Sequence, residues 1–257
     1  MKKFFLLCGC LVVSGLQASD CEYEEMIDQT LDLSGSEELS VMAGAGDLRI
    51  TGLKGGEVAL IKGRICVSEE EWLEESGVET SAGKRAEIVV QLPDTDDDWS
   101  WSGKHYAYLD LELEVPEHIQ LNVKDSSGDL EMKGVGPVTV QDSSGDLDIS
   151  LVSGSVSIRD SSGEIELSDI AGDVTIESDS SGGIFGKGIE GTVLVENDSS
   201  GDIDFRDVSE DFIVEKDSSG DISANRVGGN FQVQRDGSGS ISATNVEGEV
   251  NIPADKS

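Results

Sequence analysis

The sequence predicts an all-β fold, a β-solenoid of the parallel β-helix kind. About seven coils of 17–19 residues follow a diverged rung and an insertion. Three observations predict it. The string DSSGD, or a close variant, returns with its first Asp at Asp125, Asp142, Asp160, Asp179, Asp198, Asp217 and Asp236. Each unit carries five apolar places whose first pair and last pair are two residues apart, as in a strand with one face inward. Glycine is abundant (31 of 257) and proline scarce (4), which suits glycine turns between hydrogen-bonded strands.

A unit of two short strands cannot bury its own inner face, but stacked on the next unit it can. Equivalent positions then lie about 4.8 Å apart, and seven coils rise roughly 34 Å. The inward positions run from Leu130, Met132, Val135, Val138 and Val140 in the first unit to Ile241, Ala243, Val246, Val250 and Ile252 in the seventh. A β-sandwich of hairpins accounts for the alternation equally well. It does not account for the same residue types returning every 19 positions.

Taken in chain order, residues 1–18 read as a signal peptide. Lys2 and Lys3 precede an apolar run from Phe4 to Leu16, and Gln17-Ala18-Ser19 supplies a small-residue cleavage site after Ala18. The run is too short to span a bilayer, so no transmembrane segment is expected after cleavage. Leu7-Cys8-Gly9-Cys10 has the letters of a lipoprotein box, but only Phe4 to Leu7 precede it as apolar residues. Cleavage takes the formal charge from −35 to −37. Such a charge excludes DNA, RNA and anionic lipid as electrostatic partners, since polyanions repel.

Cys21 and Cys66 remain after cleavage, and two cysteines in an exported domain most simply pair. The alternative is two free buried thiols. A bridge would close a loop of 45 residues, worth about 4 kcal/mol on the chain-entropy account.

Residues 19–124 form a diverged opening region. From Gly44 to Leu60 the grammar of the repeat is present, with Leu48, Ile50, Leu53, Val58 and Leu60 in the five inward places. EEEWLEESG, from Glu69 to Gly77, reads as a short helix or an acidic loop. AEIVVQLP, ending at Pro93, and YLDLELEVP, ending at Pro116, read as strands stopped by proline. All three Trp (Trp72, Trp99, Trp101) and all three Tyr (Tyr23, Tyr106, Tyr108) precede Asp125. They are expected to cover the N-terminal end of the stack, whose strand edges would otherwise be open. Residues 125–257 are the regular coils, continuous with what precedes, and Pro253 ends the stack after Ile252.

The Asp column is read first as turn chemistry. The carboxylate bonds the backbone N–H two residues on, and glycine supplies positive φ. The alternative is a calcium ladder, because carboxylates stacked at about 4.8 Å repel by roughly 0.9 kcal/mol per pair even in water. Lys124, Arg159, Lys216 and Arg235 sit immediately before repeat Asp residues and offer local compensation. DTDDD, from Asp94 to Asp98, imitates the start of a calcium loop, but Trp99 and His105 stand where glycine and the bidentate glutamate belong. Trp99 and Trp101 could instead stack on a sugar or a partner. The fourth unit has Gly186 where its neighbours place Leu167 and Phe205. Compensation by Phe185 or a neighbour, or a ligand notch, would accommodate it. No metal site, cofactor or catalytic residue is assigned: His105 and His118 are the only histidines, and no GxSxG, HExxH or phosphate loop is present.

The GAGDLRITG opening, the strand LELEVP and the tandem SSGDL/SSGDI turns followed by GxV or GxF together resemble a widespread bacterial family, known as the "putative adhesin" or β-strand repeat domain of unknown function. The resemblance covers about residues 41 to 252. It implies an exported β-solenoid, and it brings no catalytic residues. The expectation is therefore a non-enzymatic exported protein of the periplasm or cell surface of a bacterium. Its acidic surface would bind an unknown protein or envelope component, in binding, adhesion or cell-envelope interaction. A calcium-stabilised structural module and a polysaccharide-active enzyme are the other classes.

Overall fold

The structure, a computed structural model, describes residues 21–94 and 105–253. The signal-peptide reading, most of DTDDD, Trp99 and Trp101 lie outside the described residues. The opening region contains β1 (Tyr23–Asp32), β2 (Glu38–Met42), β3 (Leu48–Leu53), β4 (Val58–Val67), β5 (Gly77–Ser81), β6 (Arg85–Gln91) and β7 (Ala107–Pro116). The acidic EEEWL stretch makes one 3-10 turn at Glu70–Leu73. The coils follow as β8 (Gln120–Lys124), β9 (Leu130–Lys133), β10 (Val138–Gln141), β11 (Leu147–Val152), β12 (Val156–Arg159), β13 (Ile165–Ile170), β14 (Val174–Ser178) and β15 (Ile184–Ile189). They continue as β16 (Val193–Val195), β17 (Ile203–Val208), β18 (Phe212–Val214), β19 (Ile222–Val227), β20 (Phe231–Val233), β21 (Ile241–Val246) and β22 (Val250–Asn251).

The strands form two 11-stranded sheets facing each other across one core. From β9 onward, odd-numbered strands stack in the first sheet; from β8 onward, even-numbered strands stack in the second. Pairing is parallel and in register, so that Leu147 lies beside Ile165 and Ile165 beside Ile184, while Val156 lies beside Val174. The inward alternation read from the sequence is met in units one to six. The side chains at those places are at most 3% exposed, and Gly186 is buried among them. The seventh unit departs: Val250 is 51% and Ile252 44% exposed, because no coil stacks beyond β21 and β22 among the described residues.

Two columns make this stacking feasible. At the corner entering the first sheet, the glycines of DSSGD carry positive φ, from 116° at Gly128 to 145° at Gly220. A Cβ at Gly201 would lie 1.5 Å from the carbonyl oxygen of Gly182 one coil below. Glycine is demanded there twice, by conformation and by the neighbouring coil. On the opposite bend each coil places one residue at φ between 54° and 70°, in turn Gly134, Leu151, Asp169, Gly188, Asp207, Arg226 and Asn245.

The opening region corrects one expectation. Leu48 and Ile50 are inward, as read, but Val58 and Leu60 are not a coil strand of the second sheet. β4 turns back and runs antiparallel between β1 and β7 in the first sheet. Its inward residues are Ala59, Ile61 and Ile65, while Val58 is 42% exposed. The alternation sustained over ten residues outweighs a two-residue match to the repeat. β6 and β7 then form a coil beneath β2 and β3, and the chain steps over the β2–β3 coil to begin β8 and β9 on its other side. β1 and β5 cover the N-terminal end, and Tyr23 and Trp72 pack on the core there. Cys21 and Cys66 form a disulfide with Cα atoms 5.5 Å apart, tying the start of β1 to the end of β4.

The inward register yields a direct test. Ile203→Asp buries an unpaired charge between Ile184 and Ile222, and should cost at least about 4 kcal/mol. Asp204→Asn on the opposite face should cost less than about 1 kcal/mol; urea melts of the two variants measure the difference. Cys66→Ser should lower stability by about 4 kcal/mol on the same assay, the loop-closure value for 45 residues.

Candidate functional site

The corner between the second and first sheets gathers most of the distinctive chemistry. Strand alternation sets its first feature. In the second unit Val156 and Ile158 point in, Ser157 and Arg159 point out, and Asp160 therefore points in. From the third unit onward the coil is one residue longer. A register shift pairs Arg159 with Ser178 rather than Glu177, and the extra residue is absorbed there. The Asp column consequently stays stacked although the repeat lengthens from 18 to 19. Asp125, Asp142, Asp160, Asp179, Asp198 and Asp217 are all at most 5% exposed, and Asp236 in the last coil is half-buried.

One oxygen of several column carboxylates accepts a turn N–H. Asp125 accepts from Ser126 at 2.8 Å, Asp160 from Ser161 at 2.7 Å, Asp179 from Ser181 at 3.3 Å and Asp217 from Ser219 at 3.0 Å. Each column residue from Asp125 to Asp217 also donates its own N–H to the next coil, as Asp198 does to the Lys216 carbonyl at 2.8 Å. The cations beside the column do not neutralise it. Arg159 turns out to Glu177, and Lys216 donates to Asn197 at 3.0 Å. Burial, reinforced by neighbouring Asp carboxylates, pushes Asp125 up to about 6 and Asp160 and Asp198 up to about 7. Burial raises Asp142, Asp179 and Asp217 as well.

A second carboxylate ladder, which sequence reasoning passed over as decoration, stands at the fifth residue of the motif. An oxygen of Asp47 accepts the N–H of Asp129, Asp129 that of Asp146, Asp146 that of Glu164, Asp202 that of Asp221 and Asp221 that of Ser240, at 2.7–3.2 Å. These carboxylates substitute for a backbone acceptor at the corner, yet remain at the surface. The signal was present in the sequence: an acid directly after the corner glycine in five of seven units.

Beside this ladder, the outer face of the first sheet forms a groove of about 520 Å³ lined by Asp47, Glu112, Glu131, Asp148, Glu164 and Glu166 among others. Arg49, 2.7 Å from Glu131 and 3.9 Å from Glu112, is the cation in its wall. A second groove of about 420 Å³ shares Asp148 and Glu166 with the first and continues to Phe185, Asp204 and Arg206. Phe185 lies half-buried on this outer face, so it does not fill the space left by Gly186. The Phe205 ring of the next coil does: a Cβ on Gly186 would sit 2.1 Å from it. Phe205 in turn packs on Phe212, and Phe212 on Phe231, at centroid distances of 5.0 and 5.4 Å. Raised pKa values at Asp148 and Glu164, caused first by burial and then by neighbouring acids, reflect the crowding of negative charge in the groove.

The family model described as Toastrack DUF4097 matches residues 64–257. No curated protein matches the chain. Among solved structures, a "putative cell adhesion protein" from Clostridium sporogenes is 15% identical over 90% of this chain and 100% of its own, with a TM-score of 0.32. A "putative adhesin" from Bacteroides fragilis is 12% identical over 89% and 97%, with a TM-score of 0.36. A "putative lipid binding protein" from Parabacteroides distasonis is 14% identical over 90% and 97%, with a TM-score of 0.35. None of these likenesses transfers a ligand.

Among the described residues no group of three or more His, Cys, Asp or Glu side chains is arranged to hold a metal ion. The column Asp carboxylates from Asp125 to Asp217 face inward, and those of Asp125, Asp160, Asp179 and Asp217 engage their own turns. Calcium and magnesium at equal ionic strength should therefore shift the melting temperature alike and weakly, and chelator should leave the fold intact. A specific site at about 100 times its Kd would add about 2.7 kcal/mol, readily seen in the same melts.

Proposed function

We propose that this chain, which belongs to the Toastrack DUF4097 family, is an exported, non-enzymatic binding β-solenoid whose acidic first-sheet groove takes a cationic partner of the cell envelope. The observation that carries the reading is the stacking itself. In-register pairing aligns Glu131, Asp148 and Glu166 in one row on successive strands. A single acid on a strand is ordinary surface decoration. A row of them at about 4.8 Å spacing carries a repulsion that a cationic ligand relieves. Attraction to such a row falls off within a Debye length and is strongest at low salt.

Phe185 adds a contact of a different kind. It lies on the outer face in the second groove, between Glu166 and Asp204 on the adjoining strands, and offers an aromatic surface to an alkyl stem or a cationic head. Export is supported by the Cys21–Cys66 disulfide, a bond that persists in oxidising compartments. No helix among the described residues is long and apolar enough to cross a membrane.

The test is binding of the full chain to a labelled oligolysine peptide, with an oligoglutamate peptide of equal length as control. Oligolysine should bind, and its affinity should fall at least about tenfold when salt rises from low to several hundred millimolar. Asp148→Lys with Glu166→Lys should weaken binding by at least about tenfold while leaving the melting temperature near that of the parent. Phe185→Ala should weaken it less. Equal binding of the two peptides, or an unchanged affinity in the double variant, would remove the reading. A pull-down from envelope extract with the parent and the double variant then identifies the partner as the species lost in the variant.

A further inference from the structure

The binding surface makes no use of the inner Asp column, and its chemistry is anomalous. Ion pairs that neutralise the column are absent among Asp125 to Asp217. Both carboxyl oxygens of Asp142 and Asp198 are buried without a donor, as is one oxygen each of Asp125, Asp160, Asp179 and Asp217. Asp142 meets Asp160, and Asp198 meets Asp217, carboxyl to carboxyl. Two ionised carboxylates have four acceptor oxygens and no hydrogen between them. A buried contact of that kind is repulsive unless one partner holds a proton, when it becomes an O–H···O bond to a charged acceptor, among the stronger hydrogen bonds available.

We propose that the column is a proton-binding ladder in which stacked coils share protons between Asp carboxyls, one proton within the Asp142–Asp160 pair and one within the Asp198–Asp217 pair, so that mild acid tightens the solenoid and alkali loosens it. The groups that face the column are its own members in the coils above and below, with Asp47 acting on Asp125 from the preceding coil. Lys124, Arg159 and Arg235 are exposed on the outer side of the corner, and Lys216 is engaged by Asn197. No cation therefore competes with the proton at Asp142, Asp160 or Asp198.

The sign of the pH dependence follows from linkage. Asp160 and Asp198 are raised in the folded chain from 3.8 to about 7. Below pH 4 both folded and unfolded forms hold the proton, and the contribution to stability is complete. Between about 4 and 7 the unfolded chain has released its protons and the folded chain has not, so stability falls steadily as pH rises. Above about 7 the folded form must bury the charges as well.

The experiment is a set of thermal melts of the full chain between pH 5 and pH 8 at high salt, which screens the general acidity of the surface. The melting temperature should be higher at pH 5 by about 5 °C or more. Asp160→Asn with Asp198→Asn supplies N–H donors that no pH removes. It should flatten the profile and raise the melting temperature at pH 8. Glu190→Gln with Glu196→Gln removes the same charge from exposed positions and should leave the slope unchanged. Infrared spectra of the parent at pH 6 should show the carbonyl stretch of protonated carboxyl groups, reduced in the Asp160/Asp198 variant. A flat parent profile, a slope equally reduced by the surface control, or the absence of the protonated-carboxyl band from the folded parent would each overturn the ladder. Should the Asn variant fail to fold, the band in the parent decides alone.

Discussion

Each coil of this protein gives backbone N–H groups to the coil beside it, and every side chain lies over its counterpart one strand spacing away. Parallel in-register stacking is the constraint from which the other features follow. It buries the two strands of each unit only if the same type of residue returns at the same place. It also turns every local choice into a column. A glycine needed for one corner becomes a file of glycines, each excluded from carrying a Cβ by the carbonyl of the coil below as much as by its own φ. An acid chosen for one turn becomes a ladder of acids.

That multiplication links the fold to its chemistry. The same corner motif produces two carboxylate files with opposite environments. The fifth-position acids face water, accept an N–H from the next coil and lead into the acidic groove of the first sheet. The first-position acids from Asp125 to Asp217 face the core; four of them accept a turn N–H, and each keeps at least one oxygen without a donor. One file presents charge to solvent. The other confines it among buried residues, and burial raises the pKa of its members. A single sequence motif thus underlies both the proposed outer binding surface and the proposed inner proton ladder.

The two ends of the stack answer the edge problem differently. At the N-terminal end the regular rise is interrupted: β4 runs antiparallel, β6 and β7 slip beneath the first rung, and β1 closes the first sheet with the acidic residues Glu24, Glu25, Asp28 and Asp32 on its length. The disulfide fixes this arrangement by joining the two outermost strands. At the other end the inward residues of the last coil remain half-open, and β21 carries Ser242 in the row where Glu131, Asp148, Glu166 and Asp204 stand in earlier coils.

The sequence alone determined the solenoid, the identity of the inward residues in five units (one to three, five and six), the corner glycines and the cysteine pair, because each is a periodic or compositional signal that needs no partner to be read. The tertiary structure alone decided the rest. The antiparallel course of β4 depends on which strand lies beside it, and a five-residue template could not reveal that. The filling of the Gly186 space by Phe205 depends on a contact between coils. The inward aim of the Asp column was legible by parity at Asp160, two residues after the inward Ile158, but not at Asp198, where an extra residue is absorbed by a shift in strand register. Sequence periodicity reports what each coil shares with the next. Register, neighbour order and the fate of one extra residue are properties of the stack, and only its assembly settles them.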